Sequence, residues 1–169
     1  MMFTLAALCS VALAEEPPSD PNGYYVGARG GVSVPINAEG LAFPLSAEAG
    51  IHFPSDLSLG LRFTYQQDPP QVFDYGYAPW AVGPLIEGRY MYPVNPKIEL
   101  YGSVAGGFIF GIEEDTEKNI VMPILSGGAG ARITPGGSRL YIATELGLTN
   151  FVVPYMGMAL GVATKPDRP

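Results

Sequence analysis

Nine charged residues, Arg29, Glu48, Arg62, Glu87, Arg89, Glu99, Arg132, Arg139 and Glu145, interrupt stretches of small and apolar side chains. Carboxylates can move protons, and a guanidinium beside a carboxylate forms strong bidentate hydrogen bonds. The sole histidine, His52, follows Glu48 by four residues, and Ser46 and Ser58, each six residues from it, are weak candidates for a serine partner. A Ser–His–acid nucleophile would need one of them beside the imidazole on an accessible surface. For a histidine on the small-residue face, a polar contact within a packed interior is the plainer expectation. The acidic run Glu113, Glu114, Asp115 and Glu117 has the oxygen donors to gather divalent cations, although a solvated charged loop explains it as well. The G-x-G runs lack a following helix, so they build no phosphate-binding loop. No catalytic, cofactor-binding or metal-binding residue is assigned, no cofactor is expected, and the chain is read as a non-enzyme.

The elements that position these charges follow from composition. In 169 residues, 22 glycines and 17 prolines argue against long helices, while 47% hydrophobic against 15% charged residues leaves ample apolar surface to cover. A formal net charge of −7 removes the positive field that nucleic-acid binding requires. One cysteine excludes an internal disulfide.

From Gly23 onward the hydropathy alternates with period two, the signature of half-buried strands. Strands are predicted over 24–34, 43–53, 57–66, 80–92, 98–112, 121–134, 139–149 and 152–164, eight in all. In each, one face carries Leu, Val, Ile, Phe or Met, and the other carries Gly, Ser, Thr and Ala with a few charges. Pro84 is awkward within its strand, and a local bulge is expected there. Short links at 54–56, 93–97 and 135–138 alternate with links near Asn37, at 67–79 and at 113–119, and the last outer link, near Asn150, is short. An even number of antiparallel strands joined in this way is the layout of an up-and-down transmembrane barrel.

A soluble barrel with an apolar interior would show the same alternation in the opposite sense. Here the polar faces lack Lys within strands and are unlike a solvated surface. An eight-stranded interior is only wide enough for side chains to fill it, which predicts an all-β barrel with a polar, side-chain-filled lumen and an apolar face toward lipid. Arg29, Glu48, Arg62 and Glu87 each lie five residues from a short turn, and Glu145 lies six. At about 3.3 Å per residue and a tilt of ~40°, that depth is about 12 Å, near the middle of an apolar band ~25 Å tall. Alternating Arg and Glu on adjacent strands neutralise one another there. Arg89, Glu99, Arg132 and Arg139 are expected to form a second layer nearer the short turns. Phe53, Tyr90 and Tyr92 suit an aromatic girdle on the short-turn side, and Phe43, Tyr65 and Trp80 one on the long-link side.

Residues 1–14 (MMFTLAALCSVALA) read as a secretory signal, with Ala12 and Ala14 as the small side chains before the cleavage site and Cys9 leaving with it. Residues 15–22 form a short periplasmic leader, 23–164 the barrel and 165–169 a periplasmic tail. Through the opening YYVGARGGVSVP, the charges Arg29, Glu48, Arg62 and Glu87, and the segment SGGAGARITPGG, the chain resembles the small eight-stranded outer-membrane barrels of the OmpA/OmpX type. Family members usually finish on a terminal aromatic, whereas this chain ends LGVATKPDRP. The resemblance implies the outer membrane of a Gram-negative envelope and insertion by the barrel-assembly machinery. Outer-membrane lipid, lipopolysaccharide and that machinery are the expected partners of a monomer. The link at 67–79, with Phe73, Tyr75 and Tyr77, is the candidate surface-contact loop, headgroup anchoring being the other reading of its aromatics. The expected role is envelope-structural or surface-interacting, without catalysis. The alternatives are a narrow gated channel and a soluble, lipocalin-like periplasmic barrel holding an apolar ligand.

Overall fold

The computed structural model describes residues 22–34, 41–67, 79–112, 118–135, 138–150 and 152–164. The signal, most of the leader, the tail, Phe73, Tyr75, Tyr77 and the acidic run from Glu113 to Glu117 lie outside these residues. The strands are β1 (Gly23–Ser33), β2 (Pro44–His52), β3 (Leu57–Gln67), β4 (Trp80–Asn95), β5 (Ile98–Ile112), β6 (Asn119–Ile133), β7 (Leu140–Thr149) and β8 (Val153–Ala163). Each pairs antiparallel with the next, and β8 returns to β1, so the sheet closes into an eight-stranded barrel.

Alternation sets the faces. Along β3 every even-numbered residue from Ser58 to Gln66 is buried and every odd one is exposed. The exposed set around the wall is apolar and includes Leu61 at 62%, Ile86 at 61% and Leu146 at 64%. The buried set includes Arg29, Glu48, Arg62, Glu87, Arg89, Glu99, Arg132 and Glu145. The apolar face therefore points outward and the charges inward, the opposite of a barrel that carries an apolar ligand inside. Tyr90 and Tyr92 are exposed on the short-turn side and Phe43, Tyr65 and Trp80 on the long-link side. Phe53 is half-buried.

The lumen is less uniform than its small residues suggest. Ala81, Leu85, Ala105, Ile109, Ile120, Met122 and Ile124 pack together inside the long-link ends of β4, β5 and β6. The bulge expected at Pro84 is absent. The β4–β5 ladder lapses between Val82↔Phe110 and Leu85↔Gly107 and resumes in the same register, so the proline interrupts hydrogen bonding without inserting a residue. The register shifts instead between Pro93 and Asn95. That is where β4 runs three residues beyond its predicted end, at Tyr92, and turns into β5. Asn95 Oδ1 accepts the backbone N–H groups of Lys97 (2.8 Å) and Ile98 (2.9 Å) there.

Pro123 is accommodated by topology. Leu125 points its backbone toward β7, where its N–H meets Asn150 Oδ1 at 2.8 Å and its C=O accepts from the Asn150 N–H at 2.5 Å. Two residues earlier the same side of β6 lies past the end of β7, so the missing N–H of Pro123 deprives no ladder of a bond. Asn150 makes this turn with φ of 51°, a left-handed conformation that Asn tolerates.

Candidate functional site

Because β1 to β7 each deliver one or two charged side chains to the lumen, closing the barrel gathers them at its centre. Glu48 lies between two arginines: Arg29 Nη2 at 3.1 Å and Arg89 Nη2 at 2.5 Å, both on Oε2. Its other oxygen accepts the Tyr141 hydroxyl at 2.9 Å. Arg89 Nη2 also meets Glu87 Oε2 at 2.6 Å, and Arg62 Nη1 lies 3.4 Å from Glu87 Oε1. Arg29 Nη1 reaches Glu145 Oε1 at 2.9 Å, and the Tyr155 hydroxyl donates to that same oxygen. Arg62 Nη2 donates to Ser126 Oγ at 3.1 Å. Three guanidiniums and three carboxylates thus form one balanced cluster across the lumen. In a low-dielectric interior such groups must be mutually paired, because a single unmatched charge is strongly destabilising.

Nearer the short turns lies a second layer. Arg132 holds Glu99 Oε2 through Nε at 2.7 Å and Nη2 at 2.5 Å, and its Nη1 lies 2.7 Å from His52 Nε2. A guanidinium only donates, so Nε2 is the acceptor and the neutral ring carries its proton on Nδ1. That proton is donated to Ser58 Oγ, 2.5 Å away. The imidazole is therefore oriented to give Ser58 a proton and cannot take one from it, which is the wrong sense for an activated serine nucleophile. Ser46 is bonded elsewhere, to Thr64 Oγ1 at 2.6 Å. Arg89 belongs to the central cluster and not to this layer, since its side chain reaches back toward Glu48 and Glu87. Arg139 joins neither. It is half-buried just before β7 and makes no ion pair with any described residue.

Four tyrosines complete the packing, each laid across glycines of the adjoining strands. Tyr25 crosses Gly50 and Gly60, Tyr141 crosses Gly161 and Gly27, Tyr155 crosses Gly147 and Gly128, and Tyr101 lies on Gly130. A Cβ at Gly60 would overlap the Tyr25 hydroxyl, and one at Gly161 would lie 2.6 Å from Cζ and the hydroxyl of Tyr141. These glycines serve as beds for the rings, which in turn cover charge: the Arg89 guanidinium lies 5.1 Å from the Tyr25 ring centre and that of Arg132 5.6 Å from Tyr141. Tyr25 also stacks on His52 at 4.7 Å. The sequence signal for these rings is a tyrosine in register with a glycine on the small-residue face, as in Tyr25↔Gly50, Tyr101↔Gly130, Tyr141↔Gly161 and Gly147↔Tyr155. Tyr141→Phe should leave the ring in its bed and remove only the bond to Glu48. A loss of about 1.5–3 kcal/mol is expected for a hydrogen bond to a charged group, read as a lowered urea midpoint at unchanged slope.

An outward apolar belt, a buried ion-paired lumen and closure by eight antiparallel strands define the small outer-membrane barrel fold. Solved structures share it. The N-terminal β-barrel domain of Pseudomonas aeruginosa OprF superposes with a TM-score of 0.59 at 15% identity, over 84% of this chain and 97% of that one. Neisserial surface protein A gives 0.56 at 10% identity, over 88% and 99%. A de novo designed transmembrane β-barrel gives 0.55 at 14% identity, over 89% and 100%. No family model and no curated protein matches the sequence. A natural surface protein and a designed barrel thus share this architecture, so the fold by itself assigns no activity.

Proposed function

We propose that the protein is a monomeric outer-membrane barrel with an envelope-structural or surface-interaction role, without catalysis and without an open pore. The observation that carries this reading is the balanced Arg–Glu cluster, which crosses the middle of the lumen of a barrel belted by exposed Leu, Ile, Val and Phe. Each arginine is held by a carboxylate on another strand, and the Arg89–Glu48 and Arg29–Glu145 pairs join strands that are not neighbours in the sheet. Outer-membrane lipid and lipopolysaccharide are the proposed surroundings and the barrel-assembly machinery the proposed route. The long link with Phe73, Tyr75 and Tyr77 remains the proposed contact surface. In support, the solved neighbours include a bacterial surface protein of the same fold.

Folded protein should migrate differently in boiled and unboiled gels and fractionate with the outer membrane. In planar bilayers the wild type should carry no current. Recovery in the soluble fraction, or steady conductance, would overturn the reading. One observation favours a gated channel as the second reading: Arg29 lies within 4 Å of three carboxylates, at 3.1 Å from Glu48, 2.9 Å from Glu145 and 3.9 Å from Glu87. It has alternative partners should the cluster rearrange. Glu87→Gln changes the current only if such a channel exists.

A further inference from the structure

On the long-link side of the charge cluster the lumen holds a cavity whose walls differ sharply from its floor. The floor is formed by Arg29 and Arg62. Ser33, Ser46, Thr64 and Thr149 line the walls with hydroxyls, and Leu85 and Ile124 close the apolar side. Glu48, Glu87 and Glu145 are absent from this lining, so every charged group that borders the cavity is positive. The carboxylates that balance the two arginines reach them from outside the cavity wall.

The donors are also incompletely used. Arg62 spends Nη2 on Ser126 at 3.1 Å and approaches Glu87 only at 3.4 Å. The Nε groups of Arg29 and Arg62 and the Ser33 hydroxyl are buried with no hydrogen-bond partner among the described residues. A guanidinium offers five N–H donors and no acceptor, and buried donors in native proteins normally find a partner. Two such groups beneath a collar of hydroxyls, beside one greasy wall, suit a compact acceptor-only ligand bearing negative charge.

We propose that this cavity binds a small oxyanion of the sulfate or phosphate class, held by Arg29 and Arg62 and completed by the wall hydroxyls. The site is independent of the role argued above, because it depends on the lumen lining and not on the membrane or on conduction. Neutralised from one side by glutamates, the two arginines border the cavity on the other. An anion there leaves every carboxylate in its pair, and its own excess charge is met by the wall hydroxyls and the guanidiniums that border the cavity.

The test is calorimetric titration of the refolded barrel in detergent with inorganic sulfate and with inorganic phosphate at constant ionic strength. Saturable one-to-one binding is expected for at least one of them. Arg62→Gln should weaken it by about tenfold or more, the loss of one charge-assisted contact. Lys97→Gln, in the exposed turn at the other end of the barrel, should leave it unchanged. Because Arg62→Gln also touches the cluster, the paired change Ser46→Ala with Thr64→Val supplies a second probe. These two hydroxyls bond to each other at 2.6 Å, so removing both strands neither, and binding should still weaken severalfold in a barrel that retains its gel shift. Absence of saturable binding, or affinity indifferent to both lining variants, or an equal loss in Lys97→Gln, overturns the proposal.

Discussion

Replacing Glu48 by Leu should destabilise the barrel by about 3–5 kcal/mol, the usual result of deleting one partner from a buried ion cluster. Glu48 is 2% exposed and serves Arg29, Arg89 and Tyr141 together. Its loss leaves the cluster with one uncompensated positive charge in the middle of the lumen. Urea unfolding in lipid vesicles measures the effect, with the emission of the single tryptophan, Trp80, as the signal; it lies 39% exposed at the long-link rim. The double variant Glu48→Leu, Arg89→Met should recover a substantial part of the loss. It restores charge balance and preserves the Arg29–Glu145 and Arg62–Glu87 pairs at 2.9 and 3.4 Å. A coupling of roughly 0.5–3 kcal/mol between the two sites is the expected sign of direct interaction. Additive losses, or a single-variant effect below about 1 kcal/mol, would show that the cluster is solvated and not packed.

The second large effect tests the outer face. Leu61 is the chain neighbour of Arg62, at the same depth, and it is 62% exposed where Arg62 is 7%. Leu61→Arg therefore adds a guanidinium one residue from Arg62, on the belt instead of in the shared interior. A loss of about 2–4 kcal/mol is expected in bilayers for a cation at mid-depth on the lipid face. Val94→Arg, exposed at the short-turn end of β4, should lower stability by only about 0–1 kcal/mol. Equal effects at the two positions would mean that the belt does not meet hydrocarbon.

Much of this was legible because a period of two assigns every residue to a face once the strand is recognised. Eight strands and their two faces follow from alternation, and the small residues and missing Lys of the polar faces decided that the charges turn inward and Leu and Phe outward. Partners did not follow, because shear decides which residues share a level and no local pattern encodes it. Arg89 illustrates the point: counted from its turn it belongs to the lower layer, yet its length carries its charge to Glu48 and Glu87 in the central cluster. The apolar wedge around Ile109 and Met122 was hidden by the reverse problem. Along β4 to β6 both faces become apolar near the long links, and alternation loses contrast there. At Pro84 a breaker suggested an inserted residue, whereas the sheet tolerated a missing bond. The tyrosine beds required register, since the glycine that receives each ring stands on a neighbouring strand.

Tyr141 shows what that register secures. Rooted in β7, it crosses Gly161 of β8 and Gly27 of β1 and ends on Glu48 of β2. One side chain thus straps the junction where the two termini of the ring meet. That junction carries a continuous ladder from Tyr25↔Ala163 to Ser33↔Tyr155 as well. A hoop fastened this way is not left loose where its first and last strands join. Cargo that had to slip sideways between staves into the surrounding oil would find no door at the one place where such a wall is ordinarily easiest to open.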